Sequence, residues 1–303
     1  MGTQIPETLP GKGGAKSMSA FFGPAGNSQS FTEQGFKRND QVPEYLAQFG
    51  LNAYEYQCGH GVRVNPQAAE KLKINAAEKG IRLSLHSPYY ISLSSVEKEK
   101  RDNSINYVLQ SARAAKLIGA DRVVVHSGSC GKMTREEALE LAKDTVLRCL
   151  KAMDEEGLGD IAFCPETMGK INQLGNLSEV LSLCELDERL IPCIDFGHLN
   201  ARTLGGVNSQ ESFLSILDAI ENRLGSDRLK RFHSHFSKIE YTNNGGEKRH
   251  LTFEDTVYGP DFEPLAELIA KKNLSPVFIC ESAGTQAEDA HAMMALYHKY
   301  CED

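Results

Sequence analysis

The stretch Arg122-Val123-Val124-Val125-His126 is a short apolar run, typical of a buried β-strand, that ends in a histidine. The same pattern recurs along the chain, and each run ends in or just before a histidine or a carboxylate. The other runs are residues 83–86, 161–166, 191–198, 231–235 and 277–281. Because the carboxyl ends of parallel strands meet at one edge of a sheet, we expect these side chains to lie together. The pattern is typical of a multi-metal site on a parallel barrel.

Apolar runs alternate with amphipathic helical patterns through most of the 303 residues. The predicted strands are residues 20–23, 53–57, 81–86, 122–126, 161–165, 191–196, 231–236 and 277–280. Right-handed crossovers would close these strands into an α/β fold, a single-domain (β/α)8 TIM barrel. A doubly wound open sheet is disfavoured, because no G-x-G-x-x-G turn follows the first strand. We expect a disordered leader or an expression remnant at residues 1–17, with the metal-dependent catalytic domain at residues 18–303.

Composition restricts the function classes. The net charge is −8 and 41% of residues are hydrophobic, so the chain can bury one large core and has no global basic field for nucleic acid. A local groove can still bind DNA, since the potential at the site matters. The eight cysteines form no C-x-x-C pair, and no run of about 18 apolar residues predicts a membrane span. We expect a reduced, cytoplasmic, monomeric protein that does not bind a membrane.

The candidate metal ligands are imidazoles and carboxylates at the strand ends. They are His86, His126, Glu166, Asp195, His198, His233, His235, His250 and Glu281. A mixture of nitrogen and oxygen donors suits zinc, whereas calcium or magnesium prefers oxygen alone. A lone histidine in a strand is usually a hydrogen-bonded core residue, but a buried carboxylate must be paired or metal-bound. The joint recurrence at successive strand ends therefore carries more weight than any single residue.

Three further features are less specific. Tyr89 and Tyr90 follow His86-Ser87-Pro88 and could line a substrate cleft, although exposed tyrosines at a barrel mouth are ordinary. Lys238 could contact a phosphate or be a solvated loop lysine. Residues 247–250 form either a charged loop or a lid that carries a ligand.

On these motifs the chain resembles the endonuclease IV family (AP endonuclease family 2), within the xylose-isomerase-like TIM barrels. The resemblance covers about residues 21–297 and agrees with the family in chain order and spacing. The matching motifs are His86-Ser87-Pro88-Tyr89, His126-Ser127-Gly128-Ser129, Glu166-Thr167-Met168-Gly169, Cys193-Ile194-Asp195-Phe196-Gly197-His198, His233, Lys238, His250 and Glu281.

The resemblance implies a trinuclear zinc site and cleavage of the phosphodiester 5′ to an abasic sugar by a metal-bound hydroxide. The implied ligands are His86, His126 and Glu166 for the first zinc, Glu166, Asp195, His233 and Glu281 for the second, and His198 and His250 for the third. Glu166 and Asp195 would act at the nucleophile, while Tyr89 and Lys238 would contact the substrate. We expect two or three Zn²⁺ per chain, with Mn²⁺ or another divalent ion as the alternative.

The chain departs from the family pattern at three positions. Lys248 stands two residues before His250, where the family has an aspartate, and His235 and Glu247 are the candidates to replace it. The turn after the first strand lacks the usual histidine. Residues 57–63 replace the arginine- and glutamine-bearing DNA-intercalating loop. Metal binding is thus better supported than abasic double-stranded DNA as the substrate.

Two other functions remain open at this point. A sugar or sugar-phosphate isomerase or epimerase on the same barrel would use one divalent ion, for which Glu166, Asp195, His233 and Glu281 suffice. A binding module with a structural metal would have a closed site rather than an open mouth. The additional histidines favour the hydrolase, because a mononuclear isomerase does not need them.

Overall fold

The structure is a computed structural model that describes residues 20–301, so the leader predicted at residues 1–17 lies outside the described residues. The strands are β1 (Phe21–Pro24), β2 (Ala53–Gln57), β3 (Arg82–His86), β4 (Arg122–Val125), β5 (Ala162–Pro165), β6 (Cys193–Asp195), β7 (His233–Phe236), β8 (Ile239–Thr242), β9 (Gly246–His250) and β10 (Val277–Cys280).

Eight of these strands form a closed parallel barrel. They pair as two four-stranded sheets, in the orders β1-β10-β7-β6 and β2-β3-β4-β5. Parallel bridges from Ala25 to Glu55 and from Glu166 to Cys193 join the two sheets at both of their edges. The predicted (β/α)8 barrel is therefore confirmed, and the carboxyl ends of its strands share one rim.

The helices cover the outside of the barrel. They are α1 (Gln29–Glu33), α2 (Val42–Ala47), α3 (Pro66–Glu78), α4 (Lys98–Ile118), α5 (Arg135–Glu155), α6 (Leu177–Cys184), α7 (Phe196–Arg202), α8 (Gln210–Leu224), α9 (Ser226–Lys230), α10 (Glu263–Lys271) and α11 (Gln286–Lys299). A capping box starts α5: the Thr134 hydroxyl accepts the Glu137 N–H, and the Glu137 carboxylate accepts the Thr134 N–H.

Two elements differ from the sequence expectation, and both help to build the rim. The sixth strand ends at Asp195 rather than residue 196, because the Asp195 carboxylate accepts the His198 N–H at 2.7 Å and starts helix α7. The long connection expected after the seventh strand contains the antiparallel hairpin β8–β9. Its polar sequence lacks the apolar alternation that identifies a strand.

Side chains alternate between the barrel interior and the helices along each strand. In β10, Phe278 packs against other aromatic rings, with Phe22 stacked at 5.5 Å and Phe262 edge-on at 5.1 Å between ring centroids. Its neighbours Val277 and Ile279 belong to a separate small cluster with Ala53 and Ala25. Small residues inside the barrel leave room there for buried polar side chains. Among the described residues, no helix is long and apolar enough to cross a membrane.

We predict that Phe278→Ala lowers the free energy of unfolding by about 3–5 kcal/mol, because it removes a ring at the centre of this aromatic cluster. Urea denaturation followed by circular dichroism measures the change. Val257→Ala is the control, since Val257 is 78% exposed and its truncation should leave stability nearly unchanged. A loss below about 1 kcal/mol in Phe278→Ala would contradict the packing described.

Candidate metal centre

Imidazoles and carboxylates from six different strand ends and the hairpin converge at the rim of the barrel. They form three groups at the rim, and within each group the donor atoms all lie within 4.8 Å of one another. The groups are His86, His126 and Glu166; then Glu166, Asp195, His235 and Glu281; then His198, Glu247 and His250. We call them the first, second and third groups.

Glu166 belongs to two of these groups and faces each with a different oxygen. Its Oε2 lies 3.0 Å from His126 Nε2 and 3.4 Å from His86 Nε2. Its Oε1 lies 3.1 Å from His235 Nδ1. The side chain follows β5 and is only 1% exposed. A carboxylate in this position can bridge two ions.

The contacts are close, yet several are not hydrogen bonds. Among the described residues, Glu166 Oε2 and Asp195 Oδ2 are buried atoms without a hydrogen-bond partner, although imidazole nitrogens lie 3.0–3.4 Å away. Buried oxygens are rarely left without a partner. Two ligands of one tetrahedral zinc lie about 3.3 Å apart, given zinc–ligand distances near 2.0–2.1 Å. The residues therefore fit a divalent ion.

Neighbouring carbonyl groups orient the imidazoles. His86 Nδ1 lies 2.8 Å from the Ser87 carbonyl, and His198 Nδ1 lies 2.9 Å from the Thr167 carbonyl. A carbonyl only accepts, so each Nδ1 carries a proton, and in the neutral form of each ring Nε2 has the lone pair that a metal ion would take. Nε2 is the atom that faces Glu166 in His86 and Glu247 in His198. Metal-binding histidines are usually oriented in this way.

Burial and neighbouring charges shift the pKa values of Glu166 and Asp195 in opposite directions. Burial favours the neutral form of Glu166, but the His235 and His126 imidazoles outweigh it and hold its pKa well below the usual range. Burial raises the pKa of Asp195 to about 6, and the charges of Glu281 and Glu166 add to this. Several carboxylates compressed into one buried site favour a bound cation.

Glu247 takes the place that the family pattern gives to an aspartate at position 248. In the hairpin, Glu240 pairs with Arg249 but Tyr241 pairs with Glu247, so Lys248 is the extra residue of a β-bulge. The bulge reverses the alternation and puts Glu247 on the same side as His250. Glu247 Oε2 lies 3.4 Å from His198 Nε2, whereas Lys248 turns outward to pair with Glu240 at 2.6 Å.

His235 lies in the second group, where the resemblance put His233, and not in the third group, where it was a candidate to replace the aspartate. The resemblance put His233 in the second group, but the structure puts His235 there, with Nδ1 3.1 Å from Glu166 and 3.5 Å from Glu281. His233 Nε2 instead contacts Glu55 at 2.9 Å in the barrel interior. Burial lowers the pKa of His233 to about 4, so this imidazole is neutral. Two residues along a strand share a face but differ by about 7 Å in depth.

Sequence reasoning did not identify Glu55, which lies in β2 and is fully buried beneath the second group. The signal was a charged residue at the centre of the otherwise uncharged strand Ala53–Gln57. Burial disfavours its charged form, but the imidazoles of His235 and His233 hold the pKa of Glu55 well below its usual value. It is therefore an ionised carboxylate inside the barrel.

The candidate substrate residues Tyr89 and Lys238 have different surroundings. The Tyr89 ring is 55% exposed and lies 5.5 Å from the ring centroids of both His86 and His126. Lys238 is mostly buried and bound within the protein, because its Nζ donates to the Asp255 carbonyl at 2.6 Å and pairs with Asp261 at 3.1 Å. Lys238 is thus placed to hold the loop after the hairpin.

Two adjoining cavities open at the donor groups. One of about 380 Å³ is lined by residues from all three groups together with Lys170. The other, of about 480 Å³, extends over residues 57–61 and Arg63. Both cavities share Tyr89, His250 and Glu281, so the site is an open groove that divides at Tyr89.

A family described as "Xylose isomerase-like TIM barrel" matches residues 43–297. The chain belongs to this xylose isomerase-like TIM barrel family. An uncharacterized protein of Methanocaldococcus jannaschii is 34% identical over 278 residues, which is 92% of this chain and 97% of that protein. A probable endonuclease 4 of Mycoplasma pneumoniae is 28% identical over 221 residues, covering 70% of this chain and 71% of that protein.

Solved structures of other proteins share the fold. Endonuclease IV from Thermus thermophilus matches with a TM-score of 0.65 at 18% identity, covering 94% of this chain and 98% of that chain. A D-tagatose 3-epimerase-like protein matches with a TM-score of 0.66 at 16% identity, covering 86% of this chain and 92% of that chain. The family match and the probable endonuclease 4 relative support the sequence resemblance to endonuclease IV, and the two solved structures show that the fold is shared.

We predict that Glu247→Gln lowers the metal content by one ion per chain after dialysis against a weak chelator, because the third group loses its carboxylate. Lys248→Ala is the matched control from the adjacent position and should keep the wild-type content. Elemental analysis of both purified variants measures this. Loss of an ion from Lys248→Ala with retention in Glu247→Gln would contradict the bulged register.

Proposed function

We propose that the chain is a zinc-dependent phosphodiesterase of the endonuclease IV type that cleaves DNA 5′ to abasic sites. The observation that carries the proposal is Glu166, whose two oxygens face two separate donor groups. A third group lies beside them, with His198 Nδ1 3.3 Å from Glu166 Oε1. Clustered ions suit phosphoryl transfer, because they stabilise both the attacking and the leaving oxygen.

The residues of the three groups would hold up to three ions, which would act as Lewis acids on a transferring phosphoryl group. Glu166 would fix the spacing of the first two ions. Asp195 would orient His198 with both oxygens, because Oδ1 accepts the His198 N–H and Oδ2 lies 3.1 Å from His198 Nδ1. The His86 and His198 rings are already oriented by carbonyls, so little reorganisation is needed when the substrate arrives.

The groove suits an extended substrate with an extruded sugar. Tyr89 is 55% exposed and lines both cavities, whereas Tyr90 lines neither and lies 5.7 Å from the Tyr107 ring of α4. Extrusion of an abasic nucleotide costs little, because no base has to be unstacked. The Tyr89 ring at the mouth would fill the space left in the duplex.

A divalent-metal-dependent sugar or sugar-phosphate isomerase or epimerase is the second candidate. The second group supports it, because Glu166, Asp195, His235 and Glu281 make a complete site for one ion. The epimerase-like structure of the same fold and the net charge of −8 agree with a small substrate. This function leaves the first and third groups without a role.

We predict that the zinc-loaded protein nicks a duplex containing one abasic site and that Glu166→Gln reduces this rate by about 1,000-fold or more, since loss of the bridging carboxylate removes several kcal/mol of stabilisation. Denaturing gel electrophoresis of an end-labelled duplex measures the rate and the cleavage position. Glu179→Gln, in a buried ion pair with Arg135, controls for the loss of a buried carboxylate. Wild-type activity in Glu166→Gln would refute the mechanism.

An intact abasic duplex, together with epimerisation of a ketose by the same preparation, would transfer the assignment to the second candidate. Both assays use one batch of protein with its metal content measured, so inactivity cannot be attributed to missing metal.

We predict that Lys170→Ala weakens binding of the abasic duplex and lowers the slope of log affinity against log salt by about 1, because a lysine that contacts phosphate releases a counterion. Lys170 is exposed, lines the cavity of the three groups, and has no ion pair within residues 20–301. Fluorescence anisotropy at several salt concentrations measures the slope. An unchanged slope would place the phosphates elsewhere.

A further inference from the structure

Glu55 is a fully buried carboxylate with four polar contacts inside the barrel. Its Oε2 accepts from the Ser84 hydroxyl and from His233 Nε2, each at 2.9 Å. Its Oε1 accepts from Gln57 Nε2 at 3.2 Å and lies 2.9 Å from His235 Nε2. An isolated buried carboxylate costs several kcal/mol, so these partners are needed to keep it charged.

His235 stands between this carboxylate and the second donor group. One ring nitrogen, Nδ1, faces Glu166 and Glu281, and the opposite nitrogen, Nε2, faces Glu55 Oε1. An imidazole that lends the Nδ1 lone pair to an ion must carry its proton on Nε2. Glu55 is the acceptor in contact with that nitrogen, although Oε1 lies off the N–H axis in this structure.

The other partners of Glu55 keep its Oε1 oriented toward His235. Ser84 pairs with Glu55 across the β2–β3 register, so its hydroxyl reaches the carboxylate from the neighbouring strand. His233 holds the same oxygen, Oε2, from β7 on the far side of the interior. Because Ser84 and His233 both donate to Oε2, Oε1 has only Gln57 as a donor and keeps a lone pair for the Nε2 proton of His235.

We propose that Glu55 is a positioning residue that fixes the tautomer and ring orientation of His235, so that Nδ1 is presented to a divalent ion in the second group. The inference rests on the proposed function only in requiring that this group binds a divalent ion. It does not depend on whether the substrate is DNA or a sugar. It also gives His233 a structural role as a support for Glu55.

The test is zinc binding by the full-length apoprotein in a series of zinc buffers, with bound zinc and melting temperature measured at each free concentration. In Glu55→Gln we expect one ion to need about 10- to 100-fold more free zinc for half-saturation, the usual effect of losing a carboxylate behind a ligating histidine. The zinc-induced rise in melting temperature should fall accordingly. Glu179→Gln, another buried carboxylate outside the donor groups, should bind zinc as the wild type does.

Ser84→Ala keeps the inference testable if Glu55→Gln does not fold, because it removes one donor to Glu55 without altering His235. We expect a smaller loss of affinity for the same ion. The inference would be overturned if Glu55→Gln, or Ser84→Ala where Glu55→Gln does not fold, bound zinc at the same free concentrations as the wild type. It would also be overturned if the wild-type chain took up no zinc. If the wild type binds zinc but does not nick an abasic duplex, the proposed reaction is rejected. The role of Glu55 is still supported in that case, provided that Glu55→Gln weakens zinc binding.

Discussion

The site depends on one buried carboxylate with imidazoles at both of its oxygens. Glu166 is 1% exposed, and the first and second groups are joined through it. Such a group is costly to bury unless charge compensates it, and His126 and His235 supply that compensation from opposite sides. The barrel makes this possible, because the ends of β4, β5 and β7 meet at one rim.

The support for this carboxylate extends below the rim. The interior of the barrel carries small apolar residues such as Ala53, Val277 and Ile279, which leave space for polar side chains. Glu55 occupies that space and links β2 to His233 and His235 on β7. Above it, carbonyl groups next to His86 and His198 orient the rings. The donor groups are thus held in place by hydrogen bonds within the protein.

The sequence predicted the barrel well, because apolar strand runs and helical periodicity are local signals. The strand at residues 53–57, for example, was predicted from such signals and has the same bounds in the structure. The sequence also identified most of the rim residues as candidate metal ligands, because each lies at or just after the end of a predicted strand. It could not separate His233 from His235, because both lie on one face of β7 and only the depth of the chain in the barrel distinguishes them. Nor could it locate Glu247, whose orientation depends on a bulge in a hairpin without apolar alternation.

The central claim is that Glu166 joins two metal sites. A crystal structure of the zinc-soaked protein, with anomalous difference maps recorded at the zinc edge, tests it directly. We expect peaks in the first and second groups about 3.5–4 Å apart, with one Glu166 oxygen on each, as in two-metal sites. A single peak, in the group of Asp195, His235 and Glu281 alone, would contradict it and favour a mononuclear enzyme.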